Sequence, residues 1–499
     1  MDGRGGRARG GEGCGTTRRR FLIGAGAGLV AAAAGCQSKV EGRQPVSGAR
    51  PNILFLLTDD QRWDTLSCAG NPVIRTPNLD ALAAQGVRFD NMFVTTSICM
   101  SSRASFFTGL YTRSHGIVDF NAPLTPGLFA LSYPQRLREA GYRTGFIGKY
   151  GVGPVPKDRF DYNKGFPGQG HYFPESKPPA KGALRALTGR HLTGIMTDQV
   201  AEFLDGCPRG QPFCLSVSFK SPHCQDGDPR QFLFDPDLAD LYADAAIPVP
   251  ETADPKYFER FPEFVRKSEG RRRWQIRFST PEKFQEMVKG YFRLVTGVDR
   301  AVGRIREALA ARGLAENTVI VFAGDNGFYL GEHGLAGKWL MHEESIRVPL
   351  IVHDPRRPAS ERGRRAGEMA LNIDLAPTIL DLAGLPVPVA MQGRSLVPLL
   401  GGAAAGWRRE WFYEHTMLAD IIPPSEGVRT ERFKYIRYLA GEPPFEELYD
   451  LATDPRETTN LAADPNHRDR LDAMRRRREA WLEALGRWRL DAPWQDAGV

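Results

Sequence analysis

Two short runs with no polar break decide what this chain can fold into. Asn52-Ile53-Leu54-Phe55-Leu56-Leu57-Thr58 and Thr318-Val319-Ile320-Val321-Phe322-Ala323 are apolar at successive rather than alternate positions. That is the pattern of strands buried on both faces of a parallel sheet, which requires helices on either side and hence an α/β chain. Each run ends in oxygen ligands, Asp59-Asp60 after the first and Asp325-Asn326 after the second. Open α/β sheets bind ligands outside the carboxyl ends of their strands. Asp-Asp alone also reads as a turn and helix cap. Together the two pairs offer hard oxygens to one cation, which suits Ca²⁺ or Mg²⁺ and argues against a thiolate-bound metal.

Between these runs lies Thr95-Thr96-Ser97-Ile98-Cys99-Met100-Ser101-Ser102-Arg103-Ala104-Ser105-Phe106-Phe107-Thr108-Gly109. The order places Cys99 at or just before a helix N-terminus, where free N–H groups and the dipole favour negative charge, and Gly109 stops the helix. Arg103, one turn on, can reach back over Cys99 toward a bound oxyanion. The plain alternative is a buried Cys near a helix start.

The pattern Cys99-x-Ser101-Ser102-Arg103 resembles the signature of the type I sulfatases, in which the Cys is oxidised after translation to formylglycine, an aldehyde whose hydrate is the nucleophile. The usual form has Pro or Ala where Ser101 stands. Similarity continues from about Pro51 to about Leu461. Thr58-Asp59-Asp60 and Asp325-Asn326-Gly327 match the family's metal-site segments. Gly148-Lys149-Tyr150-Gly151 resembles its G-K-W-H, with Gly151 at the His position, and Pro222-His223 matches a P-H step. Gly331-Glu332-His333-Gly334, Lys338 and the segment from Glu343 to Pro349 have family counterparts too, His333 and Glu343 as loop-shaping residues.

The resemblance implies an alkaline phosphatase-like fold: a large mixed, mostly parallel sheet flanked by helices, with a small C-terminal α+β subdomain. It implies a sulfuric ester hydrolase with Cys99, Arg103, Lys149, His223 and Lys338 as catalytic residues. Asp59, Asp60, Cys99, Asp325 and Asn326 would then hold Ca²⁺, or Mg²⁺. In that mechanism the hydrate at residue 99 attacks sulfur, Lys149, Lys338 and Arg103 neutralise the transferring group, and His223 acts as acid or hydrogen-bond donor to the ester. The implied partners are a sulfated small molecule or glycan and, during maturation, a formylglycine-generating enzyme. Two other classes stay open: a phosphate or phosphonate ester hydrolase on the same fold, and a non-catalytic lipoprotein that binds sulfated glycan.

In chain order, 76–83 reads as a helix with Pro near its start, 133–140 as an amphipathic helix, 142–147 and 213–219 as strands, and 152–192 as a long irregular insertion. A helical stripe from Phe284 to Leu309 reads as core. After residue 406 the pattern changes: 432–438 alternates as an antiparallel strand, 447–451 is its partner, and an Arg-rich helix follows from about 466 to 489. The domains are thus expected at 51–406 (catalytic) and 407–499 (C-terminal).

Residues 1–36 read as an export signal. Arg18-Arg19-Arg20-Phe21-Leu22 resembles a twin-arginine motif, and Ala33-Ala34-Gly35-Cys36 is similar to a lipobox whose Cys36 becomes lipidated. Residues 37–50 read as a linker, and the protein is expected to be a periplasmic or cell-envelope lipoprotein. Six arginines against Asp2 and Glu12 in that signal account for +4 of the formal +7. The remaining excess is too small, and too free of interleaved aromatics, for a nucleic-acid partner. Of the seven cysteines, Cys68, Cys99, Cys207, Cys214 and Cys224 lie outside the signal; with Cys99 converted, up to two disulfides are expected among the rest.

Overall fold

The computed structural model describes residues 50–177 and 184–495, so the readings made of residues 1–49 lie outside the described residues. Eight strands form one sheet in the order β10-β2-β9-β6-β1-β5-β3-β4. They are β1 (Asn52–Asp59), β2 (Val87–Phe93), β3 (Arg143–Lys149), β4 (Tyr162–Phe166), β5 (Phe213–Pro222), β6 (Thr318–Gly324), β9 (Arg347–His353) and β10 (Arg364–Leu371). The intervening β7 (Tyr329–Leu330) and β8 (Ala336–Gly337) make a small hairpin of their own. β9 runs antiparallel to β2 and β6, and the other pairings are parallel, so the sheet is mixed and mostly parallel.

The two apolar runs pair directly as β1 and β6, with Leu54 opposite Ile320 and Thr58 opposite Gly324. Alternate β1 side chains go to opposite faces. Ile53, Phe55 and Leu57 join Phe106, Phe107, Tyr133, Leu137 and Ile379 in one core, under the helices Cys99–Thr108, Tyr133–Glu139 and Leu375–Leu382. Leu54 and Leu56 join Leu79, Leu82, Met196, Phe203, Val298 and Val302 in a second, under the helices Pro77–Gln85, Leu192–Asp205 and Pro281–Ala311. Each such side chain fully removed from water contributes about 1.5–3 kcal/mol, so β1 is fixed in depth and register by both cores.

A second, antiparallel sheet in the order β11-β12-β13-β14 follows: β11 (Glu410–His415), β12 (Ser425–Thr430), β13 (Phe433–Tyr438) and β14 (Glu446–Asp450). The expected strand pair is β13 with β14, and the expected Arg-rich helix spans Arg468–Gly486. This sheet is seated on the segment leading into Cys99: Trp411 stacks on Phe93 with centroids 5.3 Å apart, and the Glu414 N–H donates to the Thr95 carbonyl at 3.2 Å.

Two expectations are corrected. The insertion 152–192 is not wholly irregular, because it supplies edge strand β4, a half-exposed Tyr-Asn-Lys-Gly-Phe run without an apolar signature. No disulfide joins the described cysteines: Cys68, Cys99, Cys207, Cys214 and Cys224 are all free. They sit in separate surroundings, Cys214 in the sheet core, Cys207 donating to the Phe203 carbonyl and Cys224 against Arg277. Among the described residues, no helix is long and apolar enough to cross a membrane.

Candidate active site

The pairing of β1 with β6 brings the two acidic strand ends side by side. The Asp325 N–H donates to the Thr58 carbonyl at 2.9 Å, and the Asp60 N–H to Asp325 Oδ1 at 3.1 Å. Asp60 holds φ 64, a left-handed conformation that Asp tolerates better than bulkier residues and that turns the chain sharply past the strand. Asn326 Nδ2 donates to Asp60 Oδ1 at 2.6 Å. All four residues are buried.

Cys99 is the first residue of its helix, and Gly109 closes the other end at φ 69, its N–H on the Ser105 carbonyl. Cys99 Sγ lies 3.2 Å from Asp59 Oδ1 and 3.1 Å from Lys338 Nζ. Lys338 also donates to Asp60 Oδ1. Lys149, the last residue of β3, places Nζ 2.5 Å from Asp59 Oδ2. His223, just past β5, has Nε2 3.5 Å from Asp60 Oδ2, while its Nδ1 meets the Cys224 carbonyl at 2.6 Å. One ligating atom from each of Asp59, Asp60, Cys99 and His223 falls within 4.8 Å of the others.

Arg103 lies elsewhere than expected. It does not line the cleft over Cys99 but sits beneath the carboxylates, 1% exposed. Nε donates to Asp325 Oδ2 at 2.8 Å, and Nη1 to the Lys149 carbonyl at 2.6 Å and to Ser218. Ser102 donates to the Asp325 carbonyl at 2.5 Å. The Ser-Arg pair of the Cys99 pentapeptide is therefore used to hold the strand end that carries Asp325. Ser101, at the Pro or Ala position, satisfies its hydroxyl on the Ile117 carbonyl at 2.6 Å.

The electrostatics follow from burial. Burial alone would raise Asp59, but Lys149, His223, Arg103 and Lys338 outweigh it and hold the carboxyl well below its usual range. Asp60 is raised by burial and by Asp59, against the pull of Lys338. Burial and then Asp59 push Asp325 up to about 6. Burial, with Asp59 beside it, pushes the Cys99 thiol up to about 12, and a thiol kept protonated is a weak nucleophile. The cluster fits a divalent cation: Asn326 Oδ1 is buried without a partner among the described residues, beside the buried carboxyls of Asp60 and Asp325.

Residues that sequence reasoning passed over surround the site, together with Gly151, which it singled out. Gln169, from the insertion, accepts from Lys149 Nζ at 2.7 Å. Gly151, where the family has His, holds φ 74, and a Cβ there would lie 2.6 Å from Arg103 Cδ. Tyr291, on the helical stripe read as core alone, donates to the Asp60 carbonyl at 2.6 Å and accepts from the Arg62 N–H at 3.2 Å. Gln61 is fully buried with neither amide atom partnered among the described residues, and Lys220 is a buried amine lowered by burial to about 8. His333 and Glu343 stay out of the cleft lining: His333, in the 3-10 turn Glu332–Gly334, stacks on His342 at 4.9 Å, and Glu343, at the start of the short helix Glu343–Ile346, pairs with Lys434 at 2.8 Å.

These groups open into a cleft of about 580 Å³, with Cys99, Lys149, His223 and Lys338 among its lining. Phe120, Leu418 and Ile421 stand exposed around it.

Comparison with known proteins returns sulfatases and, among solved structures of the same fold at 24% identity, phosphonate monoester hydrolases. The Sulfatase family profile matches residues 51–385, and the profile of the N-sulphoglucosamine sulphohydrolase C-terminal region matches residues 331–483. The chain is 30% identical to an N-acetylglucosamine-6-O-sulfatase of Bacteroides thetaiotaomicron, over 83% of this chain and 82% of that protein. It is 26% identical to an arylsulfatase of Clostridium perfringens, over 86% and 93%. Among solved structures, an enzyme in complex with its substrate D-glucosamine-2-N,6-O-disulfate superposes with a TM-score of 0.76 at 27% identity, covering 89% of this chain and 99% of that one.

Proposed function

The chain belongs to the sulfatase family of the alkaline phosphatase-like superfamily and is an enzyme that hydrolyses sulfate esters; from that premise we propose that it removes sulfate from a sulfated sugar, with residue 99 as nucleophile and one divalent cation held by Asp59, Asp60, Asp325 and Asn326. The observation that carries this reading is the convergence of Cys99, the two acidic strand ends, Lys149 and Lys338 at one point of one cleft.

A Ca²⁺ or Mg²⁺ ion at those oxygens would polarise both the nucleophile and the sulfuryl oxygens. Formylglycine at residue 99 would supply an aldehyde hydrate, whose two hydroxyls allow a sulfate group first to be accepted and then expelled. Lys149 and Lys338 bring two ammonium groups to where negative charge gathers. His223 donates from Nδ1 to the Cys224 carbonyl, so Nε2 carries a proton for the leaving oxygen only as the imidazolium, the form that a bound anionic ester would favour. Arg103 and Ser102 hold Asp325, and Tyr291 holds the Asp60 backbone, so these act through the ligands.

The sugar reading is supported by the relative named for N-acetylglucosamine 6-O-sulfate and by the similar structure solved with a sulfated glucosamine. The Cys99–Arg103 segment would be read by a formylglycine-generating enzyme before export. The Arg18–Arg20 and Cys36 motifs support twin-arginine export and a lipid anchor. Palmitate labelling of the full chain and of Cys36→Ala tests the anchor.

The activity is tested by sulfate release from N-acetylglucosamine 6-sulfate and other monosaccharide sulfates, using protein matured in a host with the oxidising enzyme. Release should stop in chelator and return with Ca²⁺. Turnover of 4-nitrophenyl sulfate together with none of any sulfated sugar would overturn the substrate assignment.

A further inference from the structure

The cleft continues past His223 and Lys338 to a wall containing Asp226, Glu269, Arg273 and Trp339, which the chemistry above does not use. Asp226 is oriented through a single oxygen. Oδ1 takes Arg273 Nη1 at 3.1 Å, Arg277 Nη2 at 3.2 Å and Cys224 Sγ at 3.3 Å, while Oδ2 receives no hydrogen bond from any described residue. Arg273 is pinned likewise: Nε donates to Glu269 Oε1 at 2.8 Å, and Nη2 has no acceptor among the described residues. Its guanidinium lies 5.2 Å from the centroid of Trp339, which is 5% exposed and holds φ 86, in the left-handed region that favours glycine. Asp226 and Arg273, joined at 3.1 Å, thus each keep one polar atom without a partner among the described residues, in the lining of the cleft that holds the nucleophile.

Charge decides what such a pair receives. A second sulfate or a carboxylate could accept from Nη2 but has no proton to offer the open carboxylate oxygen of Asp226, and the two anions repel. A pair of hydroxyls meets no such penalty, because each can donate to Oδ2 and accept from Nη2. We propose that Asp226 and Arg273 form a subsite that reads two free hydroxyls on the sugar bearing the scissile sulfate, with Trp339 as its apolar wall, and that the enzyme therefore selects uncharged sugar positions next to the ester. The proposal rests on the sugar reading above.

The test is the specificity ratio: kcat/KM for the best-cleaved monosaccharide sulfate divided by kcat/KM for 4-nitrophenyl sulfate, which has no hydroxyls to read. Asp226→Ala should lower that ratio about tenfold to hundredfold, since a site built to hydrogen-bond a hydroxyl discriminates strongly through it. Asp226→Asn, which keeps one oxygen acceptor, should fall between wild type and Asp226→Ala, and Arg273→Met should lower the ratio as well. Melting temperature and the aryl sulfate rate report folding in each variant. An unchanged ratio in Asp226→Ala would overturn the subsite while leaving the sugar reading intact. A wild-type enzyme that cleaves only the aryl sulfate would overturn the sugar reading, and the subsite with it.

Discussion

Arg103 and Asp325 meet at 2.8 Å with both side chains all but sealed from solvent, at 1% and 0% exposure. The same guanidinium donates to the Lys149 carbonyl, and its Nη2 lies 3.7 Å from Asp59 Oδ2. A single arginine therefore ties together the ends of β1, β3 and β6 from below, where a fork of donors does what a point charge cannot.

Arg103→Lys should accordingly harm both stability and turnover. Each buried acceptor left unmet costs about 1–3 kcal/mol, and a shift of the carboxylates disturbs the cation site. The expected result is a lower melting temperature and at least about a tenfold loss of kcat/KM, equivalent to about 1.4 kcal/mol of the barrier. Conversion of Cys99 must first be confirmed in the variant. Normal turnover in converted Arg103→Lys would show that the pair does not position the cation ligands.

Asp325→Ala should remove the cation site. Wild type should melt higher in Ca²⁺ than in chelator, by an amount that corresponds to about 2.7 kcal/mol at a hundredfold excess over Kd, and the variant should melt at the same temperature in both. A variant that keeps activity and bound metal would remove Asp325 from the ligand set.

How much of this was legible in the sequence depended on whether the signal was local. β1 and β6 announced themselves because strands buried on both faces must be apolar at successive positions, and the carboxylates at their ends followed. Lys149 and His223 could be placed because each closes or follows a strand of the same sheet. Arg103 was misjudged: spacing along a helix places its Cα one turn from Cys99 but says nothing of which strand end lies beneath. Gln169 and β4 sit in a Gly- and Pro-rich insertion with no periodicity to read. Tyr291 was hidden because its ring belongs to the apolar stripe and only its hydroxyl reaches Asp60.

Gly151 and Gln169 together make a prediction about the missing histidine. A Cβ at 151 would strike Arg103 and need φ 74, so Gly151→His should lower the melting temperature and raise no activity. Gln169→Ala should instead leave folding intact and lower kcat more than it raises KM, because Lys149 loses the amide that orients it. A Gly151→His enzyme faster than wild type would show that the cleft has room for the family's residue.

Asp299 supplies a pH test away from the site. Its carboxylate accepts from the Leu79 N–H at 2.8 Å and Asn78 Nδ2 at 2.9 Å, yet burial pushes it up to about 6. A folded-state value above the unfolded one means that the contribution of Asp299 to stability is fully present below about pH 4 and is lost as pH rises through about 6. Asp299→Asn should flatten that part of the pH–stability profile. An identical slope in wild type and Asp299→Asn between pH 4 and 6 would contradict the assignment.

The most direct test of the account is the covalent state of residue 99. In the matured wild type, the peptide containing Cys99 should be lighter by the difference between a CH₂–SH and a CHO group. In Cys99→Ser, incubated with substrate, the same peptide should gain one sulfuryl group in a single substoichiometric turnover, because a serine ester has no second hydroxyl to expel it. An unmodified Cys99 in fully active enzyme, or repeated turnover by Cys99→Ala, would contradict the account and transfer the nucleophile to metal-bound water.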